Sequence, residues 1–219
     1  MRNLFSFFLI AAASFGQGPA ADPTIDTSGL PAWVNFIPKP AAEPWRMPTG
    51  EERLAQYARE TYGGTPLLAA GMGAAVSFGL GRPEEWPQDF KHYAKRFGNN
   101  AAQHYIRSTA IHGLAAAMGE DNTYYRSKKE GFGARLGYAM GHAFMARNRD
   151  GRLRFSTSRF VGGVGTSKLS RVWVPPSWKN WDNVAVSYMM WSATEAGINV
   201  GREFLPDIVR ALRGRPQKP

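Results

Sequence analysis

Residues 182–204 read D-N-V-A-V-S-Y-M-M-W-S-A-T-E-A-G-I-N-V-G-R-E-F, and this segment is the strongest indication of the fold class. It is apolar and free of proline, and Glu195 is its only charge away from the two ends. Its length and composition predict a long helix that reaches Pro206 and continues briefly to about Leu212. A chain built around such a segment is expected to be helical.

The rest of the chain repeats this helical pattern. Thr49 and Glu52 have capping-box spacing, so a helix is expected to begin at Thr49 and to stop at Gly63-Gly64. Further helices are predicted over 66–81, over 131–147 and over 158–172. Another is predicted to begin after Pro83 or Pro87 and to reach Met118, with an interruption at residues 98–100. The sequence therefore predicts an all-α fold, a single compact bundle of six to seven helices over residues 49–212.

Several predicted helices carry small residues four positions apart, which places them on one face. These rows are Gly71, Ala75 and Gly79; Thr109, Gly113 and Ala117; Gly133, Gly137 and Gly141; Ser158, Gly162, Thr166 and Ser170; and Ala193, Gly197 and Gly201. Glycine at these positions lets two helix backbones approach closely. We interpret the rows as tight helix contacts, and a membrane seam or a seam between copies of the chain is the alternative. The segment 61–81 carries no charge but holds few strongly apolar residues, so peripheral membrane contact stays open.

The first sixteen residues have the layout of a secretory signal peptide. Arg2 precedes an apolar run from Leu4 to Ala13, and small residues at Ser14 and Gly16 suit a cut before residue 17. A cut after residue 20 or 21 is the competing choice, and a buried N-terminal helix is the alternative reading. The chain has no cysteine, which excludes disulfides and lipid attachment through cysteine. We therefore expect an exported protein of the periplasm or envelope.

Residues 17–48 are rich in proline and are expected to run as an extended arm. Trp33, Phe36, Ile37 and Trp45 make this segment too apolar for a free linker, so we expect them to pin it to the folded domain. Residues 213–219 form a basic tail.

The formal net charge is +10, and an exported basic protein meets anionic lipid or envelope polymers before it meets nucleic acid. Nucleic acid is therefore not an expected partner. The basic residues concentrate in one loop, where only Asp150 opposes Arg147, Arg149, Arg152, Arg154 and Arg159. A solvated loop is the plain interpretation, and binding of phosphate-bearing surfaces is the functional one. Tryptophans at positions 173, 178 and 181 are suited to a lipid interface or to capping the bundle.

Catalytic motifs are absent from the sequence, and neither a cofactor nor a metal site is predicted. The glycine-rich run 162–168 lacks the spacing of a phosphate-binding loop, and the histidines are expected to be structural. Glu195 is costly to bury unless a cation pairs with it, and Arg135, Arg107 or Lys168 could do so. A buried ion pair is the plain interpretation. A catalytic role gives the candidate residues Glu195, Arg135 and His142.

The stretch 203–208, E-F-L-P-D-I, follows the helix that contains Gly197 and lies downstream of the arginine-rich turn. In this pattern, over roughly residues 50–210, the chain resembles an uncharacterised family of exported bacterial proteins. The resemblance implies no activity and no catalytic residue.

Two functions fit these observations. The first is an exported helical scaffold or interaction protein, associated peripherally with an envelope membrane through a basic aromatic face and able to form homo-oligomers through its glycine-lined helices. The second is a soluble periplasmic enzyme or lipid-binding module with a polar site around Glu195, Arg135 and His142. The sequence favours the first function and therefore a protein that is not an enzyme.

Overall fold

The computed structural model describes residues 21–214, and it is mostly helical, as predicted. The α-helices are α1 Gly50–Tyr62, α2 Gly64–Gly79, α3 Phe90–Met118, α4 Phe132–Gly141, α5 Thr157–Leu169 and α6 Trp181–Arg213. Short 3-10 helices span Ala32–Phe36, His142–Phe144, Ser170–Val172 and Pro176–Trp178, and two strands, β1 Met145–Arg147 and β2 Leu153–Phe155, form one antiparallel pair. The predicted signal peptide (1–16) and the end of the basic tail (215–219) lie outside the described residues.

The chain divides into two compact units rather than the single bundle that was expected. The first unit contains residues 49–118 and 157–189, and the second contains residues 21–48, 119–156 and 190–214. The predicted capping box is present at the start of the first unit. The Thr49 side chain accepts from the backbone N–H of Glu52, and the Glu52 carboxylate accepts from the backbone N–H of Thr49.

In the first unit α3 and α5 approach closely along one predicted row of small residues. Ser158, Gly162, Thr166 and Ser170 are all buried. A Cβ atom at Gly162 would lie 2.8 Å from Ile111 Cγ1 and 3.2 Å from the Ile111 backbone nitrogen. This row is therefore the tight helix contact that its spacing predicted.

The helix α3 is continuous through residues 98–100, where the sequence predicted an interruption. The side chains of Asn99 and Asn100 bond to other segments instead of to their own backbone. Asn100 Nδ2 donates to the Ala70 carbonyl of α2 at 3.2 Å, and Asn99 Oδ1 accepts from Trp173 Nε1 at 3.0 Å. Because these partners satisfy the amides, the asparagines do not compete with the helical hydrogen bonds.

The interior of the first unit is small and polar. Arg96, 1% exposed, donates to the carbonyl oxygens of Arg82, Trp86 and Pro87. Arg171 is also buried, and it donates to the Ser167, Trp178 and Asn183 carbonyls and to the Ser187 hydroxyl. Each guanidinium thus bonds several turns of chain at once through backbone oxygens.

The second unit has an apolar cluster formed by Ile25, Val34, Leu205 and Val209. The segment 21–48 reaches it through a 3-10 helix at Ala32–Phe36, a helical turn that the proline content did not predict. The side chains that were expected to hold this segment differ in their contacts. Trp33 is 51% exposed, and Ile37 is half-buried against the cluster. The Trp45 indole donates to Asp121 at 2.8 Å. Nothing is described for the side chain of Phe36. The buried side chains Ile25 and Val34 hold this segment.

The predicted helix over 131–147 is shorter than expected, and its glycine row is exposed instead of buried. It ends at Gly141, after which the chain forms a 3-10 turn and then β1. Its buried residue is Ala139, whereas Gly133, Gly137 and Gly141 are exposed, and a Cβ at any of the three would meet nothing within 4 Å. The expectation of a close helix contact at this glycine row was therefore wrong for the chain by itself.

Candidate functional site

The basic residues of the sequence are presented by a short hairpin in the second unit. Its strands β1 and β2 pair with Met145 opposite Phe155 and Arg147 opposite Leu153. The Asn148 side-chain oxygen closes the turn by accepting from the backbone N–H groups of Asp150 and Arg152, at 3.1 and 3.0 Å. Gly151 takes a positive φ of 75° there, a conformation that favours glycine. The turn therefore holds Arg149 and Arg152 at defined backbone positions, while Arg147 and Arg154 lie on the two strands.

Three of the five predicted arginines, Arg149, Arg152 and Arg154, are exposed on this hairpin. Arg147 is half-buried: it donates to the Gly151 carbonyl at 3.1 Å, and its guanidinium lies 5.4 Å from the centre of the Tyr125 ring. Arg147 thus supports the turn, while the other three present charge outward.

The fifth arginine is placed elsewhere. Arg159 lies on α5 in the first unit and is only 6% exposed. Trp173, Trp178 and Trp181 belong to the first unit as well. Burial of Arg159 removes its cation from the outer surface, because a guanidinium inside the fold must bond internally. The exposed basic cluster, which we call the arginine hairpin, therefore consists of Arg149, Arg152 and Arg154.

The second unit also contains a buried carboxylate that sequence reasoning missed. Glu203 on α6 is completely buried and accepts from Tyr124 Oη at 2.7 Å, from the Ser127 backbone N–H at 2.9 Å and from Arg135 Nε at 2.8 Å. Arg135 Nη2 donates to the Glu203 carbonyl at 2.9 Å and to Asp207 Oδ2 at 2.8 Å. We call these groups the Glu203 network. The available signal was the four-residue spacing of Glu203 and Asp207, which places two acids on one helix face.

The pKa shifts of Arg135 and Tyr124 keep each of these groups in one protonation state. The hydrogen bond to Glu203 raises the pKa of Arg135 above its usual range, so the cation is retained. Burial, and then the hydrogen bond to Glu203, raises the pKa of the Tyr124 hydroxyl. Tyr124 therefore stays a neutral donor to a carboxylate at ordinary pH. Groups held in one protonation state suit structural pairing better than proton transfer.

The structure places the three predicted catalytic candidates, Glu195, Arg135 and His142, in the second unit. Arg135 joins the Glu203 network, and His142 is 1% exposed with its ring edge against Tyr124, 4.9 Å between ring centres. Glu195 is half-buried on α6. Of the other partners predicted for Glu195, Arg107 Nη2 donates to Ser167 Oγ at 3.4 Å, and Lys168 Nζ lies 4.2 Å from the centre of the Trp181 ring.

The first unit holds a polar aromatic cluster between α1 and α3. Tyr57 Oη lies 2.9 Å from Thr109 Oγ1, and Tyr62 stacks on Tyr105. His112 Nε2 lies 3.2 Å from a Glu60 carboxylate oxygen, while His104 Nε2 lies 3.0 Å from the Glu60 carbonyl. Among residues 21–214 no three histidine, aspartate or glutamate side chains come close enough together to hold a metal ion.

Within the part of the chain that is described, no helix combines the length and the apolarity needed to cross a bilayer. Comparison with protein-family models, with characterised proteins and with solved structures finds no match for this chain. The resemblance of its C-terminal pattern to an exported family stays a prediction.

Proposed function

We propose that this protein is an exported helical scaffold or interaction protein that associates peripherally with an anionic envelope membrane. The observation that carries the proposal is the arginine hairpin. Its three cations are exposed, Arg149 and Arg152 on the turn and Arg154 on β2, and Asp150 is the only acid between β1 and β2. Arginine binds phosphate oxygens in a forked geometry, so this arrangement suits phospholipid headgroups.

The charge of the whole chain supports the same conclusion. A net charge of +10 attracts the protein to any anionic surface, and each basic residue close to an anionic bilayer contributes about 1 kcal/mol of binding free energy. Three fixed arginines therefore supply a measurable affinity without an enzymatic pocket. The engagement of Arg135 with Glu203 and Asp207 supports a scaffold over an enzyme centred on that residue. Export itself rests on the sequence of residues 1–16.

The test is sedimentation with liposomes of anionic or neutral phospholipid. Wild-type protein is expected to bind anionic liposomes at low salt and to be released as salt rises, because exposed charges are screened over about 10 Å at 0.1 M. The double variant Arg149→Glu/Arg152→Glu is expected to lose at least about tenfold in affinity, since two attractive contributions of about 1 kcal/mol become repulsive.

A charge-matched control separates the hairpin from net charge. Lys39→Glu/Lys179→Glu changes the charge equally at two exposed positions outside the hairpin, and it should bind nearly as well as wild type. Equal loss in both double variants would assign binding to overall charge alone. Binding that does not change with lipid charge, with salt or with the hairpin substitutions would contradict the proposal. Binding to anionic polymers without binding to anionic liposomes would contradict the membrane assignment.

A further inference from the structure

The Trp45 side chain lies directly against the turn that joins β1 and β2. A Cβ atom on Gly151 would lie 2.7 Å from Cζ3 of the Trp45 ring and 3.0 Å from Cε3, so the indole occupies the space beside this glycine. Gly151 stands between Arg149 and Arg152, which are both exposed. A tryptophan of the segment 21–48 therefore contacts the turn that presents two cations of the arginine hairpin.

The nitrogen of the same indole bonds to a buried acid. Trp45 Nε1 donates to Asp121 Oδ2 at 2.8 Å, and Asp121 is only 2% exposed. The backbone of Asp121 is bonded to β1 as well, because its N–H donates to the Arg147 carbonyl at 2.8 Å and its carbonyl accepts from the Arg147 N–H at 2.9 Å. Hydrogen bonds to a carboxylate are among the stronger ones in proteins. Asp121 therefore fixes the indole relative to the first strand of the hairpin.

Arg147 lies between the indole and the turn. Its guanidinium carbon is 6.0 Å from the centre of the Trp45 ring and 5.4 Å from the centre of the Tyr125 ring. Arg147 Nη1 donates to the Gly151 carbonyl at 3.1 Å, so Gly151 meets the indole at its Cα atom and the guanidinium at its oxygen. We call the contacts of Trp45 with Gly151, Asp121 and Arg147 the Trp45 clamp.

The hairpin needs such contacts because its own pairing is short. Strands β1 and β2 have three residues each, and an isolated two-stranded hairpin is only marginally stable in water. Mutual repulsion between the exposed cations on the turn also favours its opening. The Trp45 clamp therefore stabilises the turn from outside the hairpin.

We infer that Trp45 is a positioning residue for the anionic-surface site. The Trp45 clamp holds the turn in one conformation, in which Arg149 and Arg152 meet headgroup phosphates without first being ordered by the lipid. A site that is ordered before contact loses less conformational entropy on binding. The inference rests on the proposed membrane association and adds the residue that positions its cations.

Two substitutions of the same kind test the role of Trp45 in the full-length chain. Trp45→Ala removes the clamp and is expected to lower the affinity for phosphatidylglycerol liposomes at low salt at least about fivefold, because the turn must then be ordered on binding. Trp33→Ala makes the same chemical change in the same segment, at a side chain that is 51% exposed, and should bind as wild type does. Trp45→Phe keeps a ring beside Gly151 without an indole N–H, so its affinity should lie between those of wild type and Trp45→Ala.

A double-mutant cycle shows whether Trp45 acts through the arginines. In the background Arg149→Ala/Arg152→Ala, addition of Trp45→Ala should change the remaining liposome affinity by less than about twofold. The same loss in both backgrounds would show that Trp45 contacts lipid itself or acts without the arginines, and it would overturn the inference.

Hydrogen exchange measured by NMR without lipid reports on the turn directly. The Gly151 and Arg152 N–H groups donate to the backbone and side-chain oxygens of Asn148. Both amides should exchange at least about tenfold faster in Trp45→Ala, whereas the amides of residues 205–209 on α6 should keep their wild-type rates. Faster exchange throughout the second unit would assign Trp45 a general structural role, and unchanged exchange at the turn would show that Trp45 does not hold it. Either result would overturn the inference.

Two outcomes separate this inference from the proposed function. Liposome binding that needs the arginines but is equal in wild type and Trp45→Ala would overturn the role of Trp45 and leave the proposed function intact. Wild-type protein that does not bind anionic liposomes would overturn both.

Discussion

Replacement of Glu203 by alanine is expected to lower the free energy of unfolding by about 3–5 kcal/mol, the usual cost of removing one partner from a buried ion pair. The carboxylate is completely buried and accepts from Arg135, Tyr124 and Ser127. Its loss leaves the Tyr124 hydroxyl and one face of the Arg135 guanidinium without an acceptor inside the protein. Denaturant unfolding followed by circular dichroism measures the change.

Two further substitutions identify the cause. Glu130→Ala removes an exposed carboxylate in the same unit and should change the stability by less than about 0.5 kcal/mol. Glu203→Gln keeps an acceptor of the same shape and should fall between the two alanine variants. If Glu203→Ala is as stable as Glu130→Ala, the network does not hold the second unit together.

Substitution of Gly162 by leucine is expected to cost at least about 3 kcal/mol or to prevent folding, because the contact between α3 and α5 has no room for a side chain. Even a single Cβ atom would lie 2.8 Å from Ile111 Cγ1 and 3.2 Å from the Ile111 backbone. Gly162→Ala should therefore cost about 1–3 kcal/mol, although alanine is the better helix former. Thermal and denaturant unfolding give both values.

The matched control lies on the same helix. Gly165 is exposed, and a Cβ atom there would meet nothing within 4 Å. Gly165→Ala is therefore expected to stabilise the protein by up to about 1 kcal/mol through helix propensity alone. The same chemical change should thus have opposite signs three residues apart. A Gly162→Leu variant as stable as wild type would show that the two helices do not touch at this point.

Local features of this chain could be read from its sequence because their cause is local. The capping box at Thr49 and Glu52 depends on residues three positions apart, and it is present as predicted. The row from Ser158 to Ser170 depends on one helical period, and it forms the close contact between α3 and α5. The helical class follows from many such segments taken together.

Features that depend on which other helix covers a helix face could not be predicted from the sequence. The rows containing Gly137 and Gly162 have the same spacing, but only the second faces another helix. Periodicity identifies a face and does not say what covers it. The interruption predicted near Asn100 failed for the same reason, since a carbonyl of α2 satisfies that amide.

The candidate site was predicted only in part. The basic turn was identified, but strand β1 was assigned to the end of a helix, and Arg159 was grouped with residues that lie in another unit. Arg135 was expected to pair with Glu195, whereas its described carboxylate partners are Glu203 and Asp207. Both acids are one turn apart on α6, and their arginine comes from α4, a contact of long sequence separation that spacing along one helix does not encode.

Export to an envelope membrane can be measured directly by fractionation of bacterial cells that make a tagged full-length chain. The protein is expected to sediment with the envelope membranes and to be retained better in low-salt than in high-salt washes. Mass spectrometry is expected to find an N-terminus within about five residues of Gln17. An intact chain that begins at Met1 and stays in the soluble cytoplasmic fraction would contradict export.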